Sequence, residues 1–178
     1  MRRQIDNFDT RITRLVRQAP DWMGGVYRAF TTILHPATIL ALLAVVGAWA
    51  YSAHEINLAL ASLAVVGVIG INTILKLIFK RVRPATEYVE AMLIQTFSFP
   101  SGHAAASAAG IGFFAYLAAG LLASPLGVAL AALGGLFILM VGTSRVYLGA
   151  HYPSDVAAGW LVGLVGLLLI ILVVQPLA

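Results

Sequence analysis

No cysteine occurs in the 178 residues. That excludes a disulfide framework, a thiolate nucleophile and any cysteine-ligated metal site, and it leaves the redox compartment unreadable. Charge is scarce as well: 10% of residues are charged and 61% are hydrophobic, with a mean hydropathy of +0.94. Soluble domains carry about 25% charged residues, so a soluble fold is excluded. The N-terminal stretch MRRQIDNFDTRITRLVRQ has no uninterrupted apolar core and does not read as a secretory signal peptide. There is no internal repeat and no low-complexity linker. Acids are few, giving a net charge of +4 and a pI near 9.8, which favours anionic partners. In so apolar a chain those partners are membrane lipids rather than nucleic acid, for which too few basic residues remain.

What is abundant is length without charge. A helix crossing a bilayer needs about 20 largely apolar residues. Five stretches meet that need: 36–53, 56–75, 104–123, 126–143 and 156–174. The expected fold is all-α, a membrane helical bundle of about five transmembrane helices forming one domain over 1–178, with its transmembrane core at 36–174. Ahead of it, Ile5, Phe8, Ile12, Leu15 and Val16 recur at helical spacing with Arg11, Arg14 and Arg17 on other faces. That pattern predicts an amphipathic interfacial helix, with a lead-in to residue 30 loosened by Pro20 and Gly24-Gly25. Packing of this helix on the bundle is compatible with the same pattern.

Five crossings place the N-terminal segment, the loop 76–103 and the loop 144–155 on one membrane face. The turns near 54 and 124 fall on the other. All eleven Lys and Arg residues lie on the first face, together with His103, His151 and Asp155. Every candidate reactive group therefore shares one side.

Those groups form three clusters. In KLIFKRVRP, Lys76 ends a span and Arg83-Pro84 follows; Lys80 and Arg81 read as a snorkelling basic flank that sets topology. In FPSGHAAA, Ser101 is placed to cap a helix, Gly102 permits close backbone approach, and His103 sits at the helix start, where free N–H groups suit a phosphate. In SRVYLGAHYPSD, Pro153 suits a first helical turn and Asp155 can reach back to His151, fixing its tautomer and supporting positive charge on it. Arg145 offers a planar fork to an oxyanion. The last cluster would equally serve as a His–Asp helix cap with an arginine at the membrane interface.

Together the clusters spell K-x6-RP, PSGH and SR-x5-H-x3-D, in that order. This resembles the type-2 phosphatidic acid phosphatase superfamily at every motif position, from Lys76 to Asp155. The resemblance implies a metal-independent membrane phosphatase that needs no cofactor and works on a lipid phosphate or diphosphate through a phosphohistidine. It makes His151 the nucleophile, Asp155 its orienting partner and His103 the general acid. Lys76, Arg83 and Arg145 become the phosphate clamp, with Ser101 and the Gly102 backbone. Substrates of polyprenyl diphosphate, phosphatidylglycerophosphate or phosphatidate type are the expectation. A phosphotransferase on the same site, or a lipid-phosphate-binding protein without catalysis, are the other readings.

The resemblance favours an extracytoplasmic site, because many bacterial relatives work there. The positive-inside rule favours a cytoplasmic one. Many relatives also have an additional N-terminal span, which this sequence does not display. His35 and His54 have no motif partner and are expected at interfaces, and Tyr147 and Tyr152 are expected as interface anchors. Asn57, Asn72 and Thr73 are expected to bond between helices. Gly159 and Gly163 form a GxxxG pattern read first as close packing within the bundle and second as the seam of a homodimer.

Overall fold

The computed structural model of the chain describes residues 2–92, 96–122 and 124–174, without the Arg2 side chain. Helix α1 (Arg2–Val16) precedes α2 (Trp22–Ile33) and α3 (Pro36–Ser52). Then come α4 (Ile56–Phe79), the short α5 (Glu87–Glu90) and α6 (Gly102–Ala106). A π-helical turn (Ser107–Ile111) joins α6 to α7 (Gly112–Leu122), and α8 (Pro125–Tyr147) and α9 (Pro153–Val174) complete the bundle. Five stretches are long and apolar enough to cross a membrane: Trp22–Ser52, Ile56–Phe79, Gly102–Leu122, Pro125–Tyr147 and Pro153–Val174. This is a multi-pass membrane protein.

The first stretch starts earlier than hydropathy suggested. Gly24-Gly25 does not loosen the chain but lies inside α2, where Gly24 approaches the Tyr147 ring. The break falls instead at Leu34-His35, where His35 is extended and its Nδ1 accepts a hydrogen bond from the Ala37 N–H at 3.1 Å. Pro36 at the first helical position then starts α3 cleanly. The third expected span ends at Ala123, which lies outside the described residues.

The α6–α7 stretch is the most enclosed, with 44% of its apolar window buried against 17–28% in the others. Its neighbours reach it through small residues. A Cβ at Gly159 would sit 2.5 Å from the Ser101 carbonyl oxygen, and one at Gly163 would sit 2.6 Å from that of Ala105. Lipid tails are as apolar as leucine, so helices associate in a bilayer through such close backbone packing rather than by excluding water. The GxxxG pattern thus serves α9 against α6 inside the bundle. Large side chains such as Leu63, Leu77, Val128 and Leu161 point outward, as a lipid-facing surface requires.

Polar side chains inside the spans mostly satisfy their own helices. Thr73 donates to Ile69 and Ser62 to Leu58, both one turn back, so Thr73 does not bond between helices. At one end of the bundle, α1, the segment after α4 and the turn between α8 and α9 converge. Val16 of α1 packs with Ala104, Val146 and Val156, while Ile5, Phe8 and Leu15 stay exposed. The helix therefore both docks on the bundle and presents an apolar face outward.

Candidate active site

Several chain segments meet at that end. Helix α4 runs one turn further than its expected end, so Lys76 is a buried residue of its last turn, donating from Nζ to the Phe97 carbonyl at 2.9 Å. The Lys76 Cε lies 3.7 Å from where a Gly102 Cβ would be, ordinary van der Waals distance, so the ammonium stem runs alongside the α6 start. Ser101 caps α6: its hydroxyl accepts from the Ala104 N–H at 3.4 Å, and its own backbone N–H donates to the Asp155 carbonyl at 2.9 Å. The PSGH turn and the first turn of α9 are thereby fixed to each other.

His151 sits in the tight turn after α8. Its backbone N–H and that of Ala150 both donate to the Arg145 carbonyl, at 3.1 and 2.9 Å. Gly149 takes φ +73°, a left-handed conformation that glycine adopts without a Cβ clash. The imidazole is 3% exposed. Arg83 Nη1 lies 3.2 Å from Nε2 and also donates to the Ala150 carbonyl at 2.9 Å. A guanidinium only donates, so this Nε2 carries the lone pair and the ring proton is assigned to Nδ1. Nδ1 faces Asp155 Oδ2 at 3.5 Å, within ion-pair range but outside hydrogen-bond geometry.

Burial pushes His151 down to about 4, against the raising pull of Asp155; Arg83, Lys76 and Arg145 push the same way as burial. The ring is therefore neutral at physiological pH, with a lone pair directed at the cationic wall. Arg83 is itself lowered, first by burial and then by Arg145. Arg83 is anchored by Thr96, whose carbonyl accepts from Nε at 2.6 Å and whose hydroxyl accepts from Nη2 at 3.1 Å.

Arg145 is 2% exposed at the end of α8. Its Nη1 donates to the Thr31 hydroxyl at 2.8 Å and to the Tyr88 hydroxyl at 3.2 Å, while Nε has no hydrogen-bond partner among the described residues. Thr31 and Tyr88 belong to α2 and α5, elements whose spacing carried no site signal. The eight expected site residues thus divide among α4, the segment after it, the α6 start, the α8 end, the turn after α8 and the α9 start, all on one end of the bundle.

Two residues depart from expectation. His35 is not a partnerless interface histidine: its ring stands edge-on to His103, with centroids 4.9 Å apart at 84°. Arg81 is not a snorkelling flank: it donates to Asp155 Oδ1 and Asp9 Oδ2, each at 2.8 Å, and stacks over Tyr152. Burial lowers Arg81, but Asp9 and Asp155 outweigh it and hold the guanidinium more firmly charged. A groove of about 1060 Å³ opens behind this pair, between α1 and the Phe79–Val82 and Phe99 walls. It lies to one side of the imidazoles.

Among the described residues no group of three His, Asp or Glu side chains is placed to hold a metal ion. What the site can do is bind a tetrahedral anion against fixed cations and a capped helix start. It also presents a neutral imidazole to that anion.

The sequence profile of the PAP2 superfamily matches residues 55–177. A phosphatidylglycerophosphatase B of Bacillus subtilis is 31% identical over 153 residues, spanning 84% of this chain and 73% of that protein. An undecaprenyl-diphosphatase of Sulfolobus acidocaldarius is 42% identical over 67 residues, 38% of this chain and 29% of that one. The crystal structure of a transmembrane PAP2-type phosphatidylglycerolphosphate phosphatase from Bacillus subtilis superposes with a TM-score of 0.82 at 25% identity, covering 98% of this chain and 88% of the other. That of LpxE from Aquifex aeolicus gives 0.66 at 18% identity, over 91% of this chain and 93% of that one, a likeness of fold alone.

Proposed function

This chain belongs to the PAP2 superfamily, and on that premise we propose that it is an integral-membrane phosphatase hydrolysing a lipid phosphate or diphosphate through a phosphohistidine on His151. The observation that carries the reading is Arg83 donating onto the lone pair of a buried neutral His151 whose far side faces Asp155. At rest the arginine occupies the attacking atom. An arriving phosphate gives Arg83 a better, charged acceptor, and the Nε2 lone pair is released toward phosphorus.

Phosphoryl transfer spreads charge over three equatorial oxygens, so positioning and cations do most of the work. Lys76, Arg83 and Arg145 supply the cations, and Ser101 with the Gly102 backbone supplies the helix start. The Nε2–P bond forms as the P–O bond to the lipid breaks. His103 gives its proton to the departing oxygen, and Asp155 supports the charge that develops on the His151 ring. Water then attacks phosphorus with His103 taking its proton, the N–P bond breaks, and inorganic phosphate leaves. The leaving group is a lipid alcohol from a monoester, or a lipid monophosphate from a diphosphate. The relatives' names favour phosphatidylglycerophosphate and polyprenyl diphosphate types. The tail stays among the outward-facing leucines while the head reaches the site.

The same arrangement requires no metal. Phosphate release from these lipids in detergent is expected to survive a chelator, to be blocked by vanadate, and to fall by at least about 10⁴-fold in His151→Ala. Full activity in that variant, or strict metal dependence, would refute the mechanism. For topology we favour a cytoplasmic site, because Arg11, Arg14 and Lys80 cluster at the catalytic end without a site role. An impermeant thiol reagent should spare a cysteine placed at position 14 in intact cells, and labelling there would put the site outside.

A further inference from the structure

Helix α1 turns an acid inward. Its apolar Phe8 is 47% exposed, yet the neighbouring Asp9 is 4% exposed. An isolated buried carboxylate is costly, so it persists only where donors surround it. Asp9 has three such contacts. Oδ1 accepts from the Ser154 backbone N–H, and Oδ2 accepts from the Ser154 hydroxyl and from Arg81 Nη2, all at 2.8 Å. The same oxygen and guanidinium form an ion pair. Arg81 Nη1 then reaches the Ser154 hydroxyl at 2.7 Å and Asp155 Oδ1 at 2.8 Å. Asp155 is wholly buried, and its second oxygen accepts from the Tyr152 N–H at 3.0 Å.

We propose that Asp9, which lies outside the three sequence clusters, and Arg81, which within the first of them reads only as a basic flank, are positioning residues that set the orientation and effective charge of Asp155 behind His151. The proposal rests on the phosphatase reading above. Arg81 holds one oxygen of Asp155, leaving the other for the Tyr152 N–H and the Nδ1 side of His151. Because Arg81 is shared between two carboxylates, Asp9 decides how much of its positive charge Asp155 feels. Asp155 in turn decides how readily His151 takes a proton. The other charges facing His151 are Arg83 from the segment after α4, Lys76 from α4 and Arg145 from α8. None of them is touched by a change at Asp9.

The signature is a pair of opposite shifts. Arg81→Met leaves the Asp155 charge to be met by His151 alone, so the imidazole protonates more readily and the acidic limb of kcat/KM moves up by about one pH unit. Asp9→Asn returns the whole Arg81 charge to Asp155, so that limb moves down. In both variants kcat falls, about 10- to 100-fold for Arg81→Met and less for Asp9→Asn, with KM within about twofold. Arg81→Lys should recover part of the loss. His151 protonation, followed by histidine-selective NMR in detergent, reports the same shifts without any substrate.

Shifts of opposite sign by NMR with no lipid phosphate turned over would support the arrangement and sink the phosphatase reading. An active wild type whose limb and His151 midpoint stay put in both variants would overturn the positioning role and spare the phosphatase. Equal shifts in the same direction, tracking a fall in thermal stability, would also overturn it.

Discussion

The two site histidines are held in opposite ways. His151 lies in a turn and is framed by ions: Arg83 at Nε2, Asp155 at Nδ1, and Arg81 and Asp9 behind that. His103 sits on a helix. It is placed by the Ser101 cap, by backbone packing against α9 and by the edge of a neutral-tautomer His35 ring. A nucleophile that becomes cationic on phosphorylation needs a matched counter-charge. A proton donor must enter and leave its charged form, and no carboxylate among the described residues pairs with His103 to hold it there. On the proposed mechanism, the contrast in scaffolding follows the contrast in task.

The sharpest way to break that comparison is to remove the acid and vary the leaving group. His103→Ala should lower kcat on a lipid phosphate by about 10²–10⁴. Phosphoenzyme formation should largely return with an aryl phosphate whose phenolate leaves unaided, whereas His151→Ala should recover with neither. Equal rescue of both variants would erase the distinction. Next in size, Arg145→Gln should cost about 10²–10³, with Thr31→Val reproducing a fraction of it by freeing the guanidinium. An effect on KM alone would mean that Arg145 binds the ground state and not the transition state.

Smaller, but more diagnostic, is the pH dependence. The folded pKa of His151 lies below the ordinary 6.5, at about 4, so the unfolded chain takes up the proton first. Stability contributed by the neutral ring is present above pH 6.5 and is lost as pH falls from there toward 4. The acidic limb of kcat/KM from this group should therefore sit near pH 4 and drop about tenfold per unit below it. Least in magnitude is His35→Ala. Loss of an edge-on ring contact worth about 0.5–1.5 kcal/mol should reduce kcat roughly two- to tenfold with little change in KM. No change at all would make His35 a helix cap and nothing more.

Much of this is legible in the sequence alone. Hydropathy located five spans because lipid-facing residues must be apolar at every turn. The three clusters stood out because ionisable side chains beside long apolar runs are too costly to keep without a reason. What escaped notice are contacts that no local spacing encodes. Asp9 and Ser154 are 145 positions apart and Arg145 and Thr31 are 114 apart, so their pairing follows from how the helices meet. Arg81 misleads for the same cause: next to Lys80 it reads as more topological charge, and only the docking of α1 separates the two. His35 has its partner 68 positions on, across the start of a different helix.

The glycines of α9 settle which part of the molecule yields first. Where Gly159 and Gly163 lie against the Ser101 and Ala105 carbonyls, two polypeptide spines touch with no rotatable group between them. Heat or a thinner bilayer can loosen leucines at the periphery, yet the spacing from the α6 start to the tip of α9 has nothing soft to absorb the strain. Amides in both strips should be the last in the molecule to exchange with deuterium, and an alanine at position 159 should wedge the seam open and remove that protection.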